Sequence, residues 1–329
     1  MTKPAAHVRQ RVADLRDGDS VDEVYLLVDK QLRANRNANL YLLAQVRDGS
    51  GTISVLMWNV TEGQLSHIQA GDFVRVRGKV QLYQGNLQVI ASRVEKVDAA
   101  GRDRSEFEPR PSTDVEQRFE QLRALLLAIE DVDVRDLLRC FLDDEWLVVR
   151  LKQAVAGVRA HHAYPGGLLD HVTNMADAAT RLKDLYPTVD HSLLMAGVFL
   201  HDLGKVREID PSNTSIYTDE GQLIGHVVIG IEMLNEAVAT FRNRFGREFP
   251  AEKLLRIKHM ILSHHGRLEF GSPKLPMTPE AIALHHLDNL DAKVNEFSTV
   301  IASDPNSQAR WTPFIPRIDR KLFKGTSGE

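Results

Sequence analysis

His201-Asp202 stands at the end of the apolar run Leu193-Leu194-Met195-Ala196-Gly197-Val198-Phe199-Leu200 and is followed by Leu203-Gly204-Lys205. A run of that kind has to be buried, and it takes two ionisable side chains in with it. Burying them is costly unless hydrogen bonds, opposite charge or a bound cation compensates. A His-Asp hydrogen bond inside a helical core would do so. So would a divalent cation, for which both side chains are ligands. The pair alone does not choose between the two.

The rest of the chain supplies more candidates of the same kind. His171 follows Pro165-Gly166-Gly167 on a helix whose apolar positions Leu168 and Met175 flank it at minus three and plus four, on or beside the buried face. His226 follows Gly225 at the start of another helix, and His264-His265 precede Gly266 at a helix end. Asp288 shares a helix face with His285 and Asp291, three residues to either side. One histidine on an apolar face is more often a satisfied core residue than a ligand. A series of them delivered by successive helices shifts the balance to a metal site.

Apolar residues recur at three and four from Val115 onward, predicting helices over Phe119–Ile129, Leu168–Leu185, Ser192–Lys205, Val227–Phe245, Lys253–Leu262 and Pro279–Val300. Residues 1–97 read instead as short strands, with turn signals at Asp48-Gly49-Ser50-Gly51, Gly71-Asp72 and Gln84-Gly85-Asn86. The expected fold class is a two-domain chain: an all-β barrel over residues 1–97, a charged linker over 98–114, an all-α domain over 115–303, and a tail over 304–329. That tail, with Trp311, Phe314 and Ile315, is expected to pack on the helical domain or on a neighbouring subunit of a homo-oligomer. Charge follows the same division: 13 Lys/Arg against 10 Asp/Glu in residues 1–97, and 28 against 35 in the remainder. The acidic balance thus falls on the part that carries the metal-ligand types. The single cysteine, Cys140, excludes an intrachain disulfide and reads as a buried apolar residue. With no apolar run of membrane-spanning length and a polar start from Met1 to Val12, the expectation is a cytoplasmic protein with no membrane partner.

The order His171, His201-Asp202, His226, His264-His265, Asp288 resembles the HD-domain phosphohydrolase superfamily, and the doubled histidine together with His226 resembles its binuclear branch. The resemblance implies that His171, His201, Asp202 and Asp288 hold one ion and that Asp202, His226, His264 and His265 hold a second. Asp202 would bridge them, and Asp291 is the alternative to Asp288. Two such ions lower the pKa of a bridging water and neutralise a phosphoryl group under attack. The resemblance favours Mn2+, while Fe2+, Co2+ or Zn2+ also suit mixed His/Asp spheres. It further makes Lys205 a group that stabilises charge on phosphoryl oxygens, against its other reading as a helix-terminal lysine satisfying the last carbonyls. In His161-His162-Ala163-Tyr164-Pro165-Gly166-Gly167 the glycines permit close backbone approach. Residues His161, His162, Tyr164, Gly166 and Gly167 are accordingly expected to contact substrate, against the reading of an ordinary loop-to-helix entry.

The first 97 residues resemble an OB-fold of the nucleic-acid-binding type, carried by Leu56-Met57-Trp58, the string Gly71-Asp72-Phe73-Val74-Arg75-Val76-Arg77-Gly78 and Tyr83-Gln84-Gly85-Asn86-Leu87-Gln88. Such barrels combine aromatic stacking platforms with cations along a groove, which makes Tyr41, Trp58, Tyr83, Arg75, Arg77 and Lys79 candidate contacts. An OB-fold followed by an HD domain is similar to the YhaM family of 3′→5′ exoribonucleases. The likeness includes His161-His162-Ala163-Tyr164, Ser263-His264-His265-Gly266, Leu284 to Lys293 and Lys321-Leu322-Phe323-Lys324-Gly325, with Pro165 as a departure. It implies a metal-dependent exoribonuclease that releases nucleoside 5′-monophosphates from single-stranded RNA, with single-stranded DNA as a second partner. The alternative is an HD-type nucleotide phosphohydrolase or cyclic-nucleotide phosphodiesterase that uses the OB-fold for docking.

Overall fold

The computed structural model describes residues 9–325 apart from 36–38, 84–85, 99, 108–113, 158–161, 163, 211–216, 303, 305 and 307–308. It divides into two compact units: residues up to 110 together with 297–329, and residues 111–296.

The first unit is built on a closed barrel of β1 (Ser20–Ala34), β2 (Leu40–Asp48), β3 (Gly51–Trp58), β4 (Phe73–Tyr83) and β5 (Asn86–Lys96), in the order β1-β2-β3-β5-β4. Alternation dictates which side chains fill it. Val21, Tyr25 and Leu27 of β1, Ile53 and Val55 of β3, Val74 and Val76 of β4 and Val89 and Ala91 of β5 point inward and are buried. The first half of β1 pairs with β4 and the second half with β2, with a register shift between Leu27 and Asp29 that lets one strand serve both neighbours. At the β2–β3 turn, Asp48 Oδ1 accepts from the Ser50 amide at 2.8 Å and fixes the hairpin. Parallel pairing of Ser54–Leu56 with Gln88–Ile90 completes the closure. The short helix α1 (Glu62–Leu65) between β3 and β4 contributes Leu65, which with Ile68 belongs to the barrel core.

Two expectations about boundaries change here. The stretch predicted as a linker contains a 3-10 turn at Arg104–Glu106, and Phe107 is buried against Val24, Leu26 and Phe73, with its ring edge-on to Phe73 at 4.8 Å. Burying one phenylalanine contributes about 2 kcal/mol, so the barrel unit reaches past residue 97. The tail groups with the barrel unit, not with the helical one. It is held by contacts of its own: Trp311 against Phe323, and Lys324 bonded to Asp304 at 2.6 Å.

The second unit comprises α2 (Val115–Leu127), α3 (Val132–Leu142), α4 (Glu145–Leu151), α5 (Gly167–Leu182), α6 (His191–Leu200), α7 (Lys205–Glu208), α8 (Asp219–Leu223), α9 (His226–Phe245), α10 (Ala251–Ser263) and most of α11 (Pro279–Ala302). Asp114, Asp131, Asp144 and Asp190 cap α2, α3, α4 and α6 by accepting bonds from first-turn amides. Helix α6 is buried from Leu193 through Leu200 and packs against α5 and α10. The apolar period predicts that it continues to Lys205. Instead it stops at Leu200, His201 to Gly204 form a turn, and α7 restarts at Lys205. Gly204 meets α9 so closely that a Cβ would stand 2.1 Å from the His226 carbonyl oxygen. Cys140 is buried in the α3 core, and burial pushes its thiol above the usual range. No helix among the described residues is long and apolar enough to cross a membrane.

Candidate metal centre

Each candidate ligand reaches a single buried point from a different element. His171 comes from the second turn of α5, His201-Asp202 from the turn after α6, His226 from the first position of α9, His264-His265 from the end of α10, and Asp288 from α11. Asp202 is at the middle. Its Oδ2 lies 3.9 Å from His171 Nε2 and 3.4 Å from His201 Nε2. Its Oδ1 lies 3.4 Å from His226 Nε2 and 3.6 Å from His264 Nε2. Asp288 Oδ1 is 3.3 Å from His171 Nε2 and 4.0 Å from His201 Nε2. His226, His264 and His265 each offer a nitrogen within 4.8 Å of the others. Most of these separations are longer than hydrogen bonds. Two ligands each about 2.1 Å from one ion stand roughly 3–3.5 Å apart, close to the spacing observed.

The other ring nitrogens explain why these atoms point inward. His201 Nδ1 donates to the Val198 carbonyl at 2.9 Å, and His264 Nδ1 to that of Ile261 at 2.7 Å. His171 Nδ1 donates to Asp291 Oδ2 at 2.7 Å, and His226 Nδ1 to Glu208 Oε1 at 3.0 Å. A carbonyl can only accept, so the His201 and His264 tautomers are set with a lone pair on Nε2, as a metal requires. His201 Nε2, Asp202 Oδ1, His226 Nε2 and His264 Nε2 are buried and have no hydrogen-bond partner. Unsatisfied buried polar atoms cost about 1–3 kcal/mol each, and four that converge call for a common partner. A divalent cation satisfies them, so the donor set fits a metal.

Charge is arranged accordingly. Burial holds His264 well below the ordinary histidine value and lowers His265 as well, leaving both rings neutral. Burial opposes ionisation of Asp202, but Lys205 and His201 outweigh it and hold the carboxyl well below the usual range. Burial also opposes the charged form of His171, yet Asp288 and Asp291 raise it to about 9, and the proton this favours on Nε2 is one that a bound cation would replace.

The structure separates Asp288 from Asp291. Asp288 faces the histidine Nε2 atoms, whereas Asp291 Oδ2 stands behind the cluster and accepts from both His171 and His162, the latter at 2.8 Å. Asn174 Nδ2 donates to the other Asp291 oxygen at 3.1 Å. His162 is therefore not a free substrate contact. It is buried, its Nδ1 lies 3.0 Å from the Tyr164 hydroxyl, and that hydroxyl donates to Asp170 at 2.9 Å. Gly167 serves the same packing, since a Cβ there would lie 2.0 Å from the His162 carbonyl oxygen; Gly166 is the left-handed N-cap of α5. His162, Tyr164, Gly166 and Gly167 of this string thus have a supporting place in the packing, and His161 lies outside the described residues. Lys205 Nζ donates to Asp202 Oδ2 and to the Ala156 carbonyl, each at 2.6 Å, and not to the carbonyls that end α6.

Sequence reasoning missed Glu208 and Asn174. Asn174 lies one turn after His171 on the same face, so helical spacing could have found it. Glu208 had no such signal: it ends a four-residue helix whose placement depends on α9. Glu208→Gln is expected to weaken metal binding about 10–100-fold, because the carboxylate orients His226. Competition against a chromophoric chelator measures this, and an unchanged dissociation constant removes the role.

On the barrel, Tyr41 and Trp58 are cross-strand partners in β2 and β3 with ring centroids 5.1 Å apart, and Trp58 is half exposed. Tyr83 is exposed at the β4–β5 hairpin, and Lys79 is exposed on β4. Arg75 and Arg77 are not free cations: both bond to Asp22 of β1, at 2.6 and 3.1 Å.

The model of the HD domain family matches residues 168–293, the span from α5 to α11 that carries every one of these candidate ligands. Residues 168–293 are an HD domain. The model of the OB-fold nucleic acid binding domain of the tRNA anti-codon type matches residues 26–97. Among solved structures the chain is similar to the second OB-fold domain of replication protein A from Methanococcus maripaludis, at 16% identity over 29% of this chain and all of that one, with a TM-score of 0.23. It is similar also to a replication protein A heterotrimer bound to ssDNA, at 20% identity over 32% of this chain and 75% of that one, with a TM-score of 0.21. A hypothetical protein from Arabidopsis thaliana shares 19% identity over 35% of this chain and 95% of its own, with a TM-score of 0.23. HD domains are metal-dependent phosphohydrolases, and an OB-fold nucleic-acid-binding domain followed by an HD domain fits a hydrolase that acts on nucleic acid.

Proposed function

We propose that this chain is a metal-dependent 3′→5′ exonuclease of the YhaM kind, hydrolysing single-stranded RNA, and single-stranded DNA as a second substrate, to nucleoside 5′-monophosphates. The observation that carries the hydrolytic part is the convergence of buried, unpartnered His201, His226 and His264 Nε2 atoms on the two sides of Asp202. His171, His201, Asp202 and Asp288 would hold one cation, and Asp202, His226, His264 and His265 the other, with Mn2+ favoured. Two divalent ions held there would supply Lewis acidity toward the phosphodiester and a nucleophile at neutral pH. Lys205 spends two of its three N–H bonds on Asp202 and Ala156, which leaves one for a phosphoryl oxygen. Asp291, with His162 and Asn174 behind it, and Glu208 hold the rings of His171 and His226 in place. The Tyr41–Trp58 pair and Tyr83 would take the strand's bases on the barrel, with Lys79 on its phosphates. The 3′→5′ direction rests on the resemblance to the YhaM family.

End-labelled RNA and DNA oligonucleotides incubated with Mn2+, Fe2+, Co2+ or Zn2+ test this. With a 5′ label, the expected result is stepwise shortening, with mononucleotides accumulating and binding weakening as salt rises. Turnover of mononucleotides or cyclic nucleotides with oligonucleotides left intact would establish the small-molecule phosphohydrolase in its place.

A further inference from the structure

The His226–His265 end of the centre is framed by apolar side chains that the packing of the unit does not use. Just after His265, Leu268–Phe270 form one 3-10 turn, closed by bonds from the Phe270 and Ser272 amides to the Arg267 carbonyl, at 3.1 and 3.2 Å. Ser272 is buried, and its hydroxyl is 3.1 Å from the Leu262 carbonyl, which ties the turn to the end of α10. Gly271 thereby sits beside the site: a Cβ on it would lie 3.9 Å from His265 Nδ1. The turn is fixed, yet Phe270 is 64% and Leu268 62% exposed. The Arg267 guanidinium lies 5.9 Å from the Phe270 ring centroid. On the other side, the His226 ring is 5.4 Å from that of His265, and Leu223 and Ile224, just before it in the chain, are exposed as well, Leu223 at 85%.

Exposed apolar groups on a fixed turn beside a polar centre mark a contact surface. Here the chemistry selects the occupant. An open aromatic face with a guanidinium beside it suits the π-face of a nucleobase, and the cation suits the phosphate that follows. We propose that Phe270 with Arg267 is a stacking platform for the unpaired base next to the scissile phosphate. This rests on the nuclease reading above and adds to it a base-contacting subsite in the HD domain itself. A base engaged by its face has left the stack, so the platform selects single strands over duplex.

The test is Phe270→Ala and Phe270→Trp, assayed on an oligoribonucleotide and on the same oligonucleotide with abasic sites at its 3′-terminal positions, in the presence of Mn2+. Melting temperatures confirm that the exposed substitutions leave the fold intact. On intact RNA, Phe270→Ala is expected to lose about ten-fold in kcat/KM, mostly through KM, and Phe270→Trp to retain the wild-type value. On the abasic RNA the difference between Phe270→Ala and wild type disappears. Equal rates on intact RNA, or an equal loss on both substrates, overturns the platform while leaving the nuclease reading standing. A wild type that cuts neither substrate with any of the metals overturns the nuclease reading, and the platform with it.

Discussion

Asp202→Asn is expected to lower nucleic-acid hydrolysis by at least about 10^3-fold while oligonucleotide binding persists. The asymmetry follows from what the two carboxylate oxygens face. Oδ2 looks toward His171 and His201, and Oδ1 toward His226 and His264. An amide has one oxygen, so one of the two histidine groups loses its anionic partner. Several kcal/mol of transition-state stabilisation go with it, and each 1.4 kcal/mol is ten-fold in rate. Asn keeps the volume of the side chain and an acceptor for Lys205, so the substitution spares the packing around α6. The contacts proposed for the strand, on the barrel and at Phe270, do not use Asp202, so binding is expected to stay within error of wild type by fluorescence anisotropy. Elemental analysis should show less metal per chain. A variant with wild-type metal content and turnover would remove Asp202 from the centre.

Gly204→Ala is expected to destabilise the helical unit by about 3 kcal/mol or more, the upper range for overpacking. The added methyl would meet backbone on α9: the His226 carbonyl oxygen at 2.1 Å and the Gly230 nitrogen at 2.9 Å. Backbone cannot rotate away as a side chain can, so α7 and α9 must separate. For a unit of this size that corresponds to a fall in melting temperature of roughly 6–12 °C. Separation also pulls His226 from Asp202 and Glu208 from His226, so metal affinity falls alongside stability. Gly63→Ala is the control, since its Cβ position has nothing within 4 Å. A Gly204→Ala protein that melts at the wild-type temperature would contradict the close approach.

Local pattern carried much of this arrangement. Alternating apolar residues in Phe73-Val74-Arg75-Val76 were enough to predict a strand, and the three-and-four recurrence around His171 and Asp288 put both on buried helix faces. What local pattern could not supply was the identity of neighbours distant in sequence. Asp288 and Asp291 are three residues apart on one face, and periodicity treats them alike. They differ because His162 closes on Asp291 and leaves Asp288 to the histidines. Arg75 and Arg77 read as free cations on an outer face, but the β1–β4 register sets Asp22 opposite Arg77 and ties both to one carboxylate, which offsets one of their two charges. Helix α6 ends short of Lys205 where the chain turns toward α9, a contact no window of sequence contains. Phe107 looked like part of a linker because its apolar partners Val24, Leu26 and Phe73 are far away along the chain.

The order β1-β2-β3-β5-β4 closes the barrel through a short seam that pairs Ser54–Leu56 of β3 with Gln88–Ile90 of β5. The exposed Trp58 lies past that seam, and the exposed Leu82 and Tyr83 lie past the stretch of β4 that pairs with β1, so each has its ladder partner on one side, in β2 or in β5. What meets the barrel at these places is offered aromatic and apolar side chains and strand backbone together.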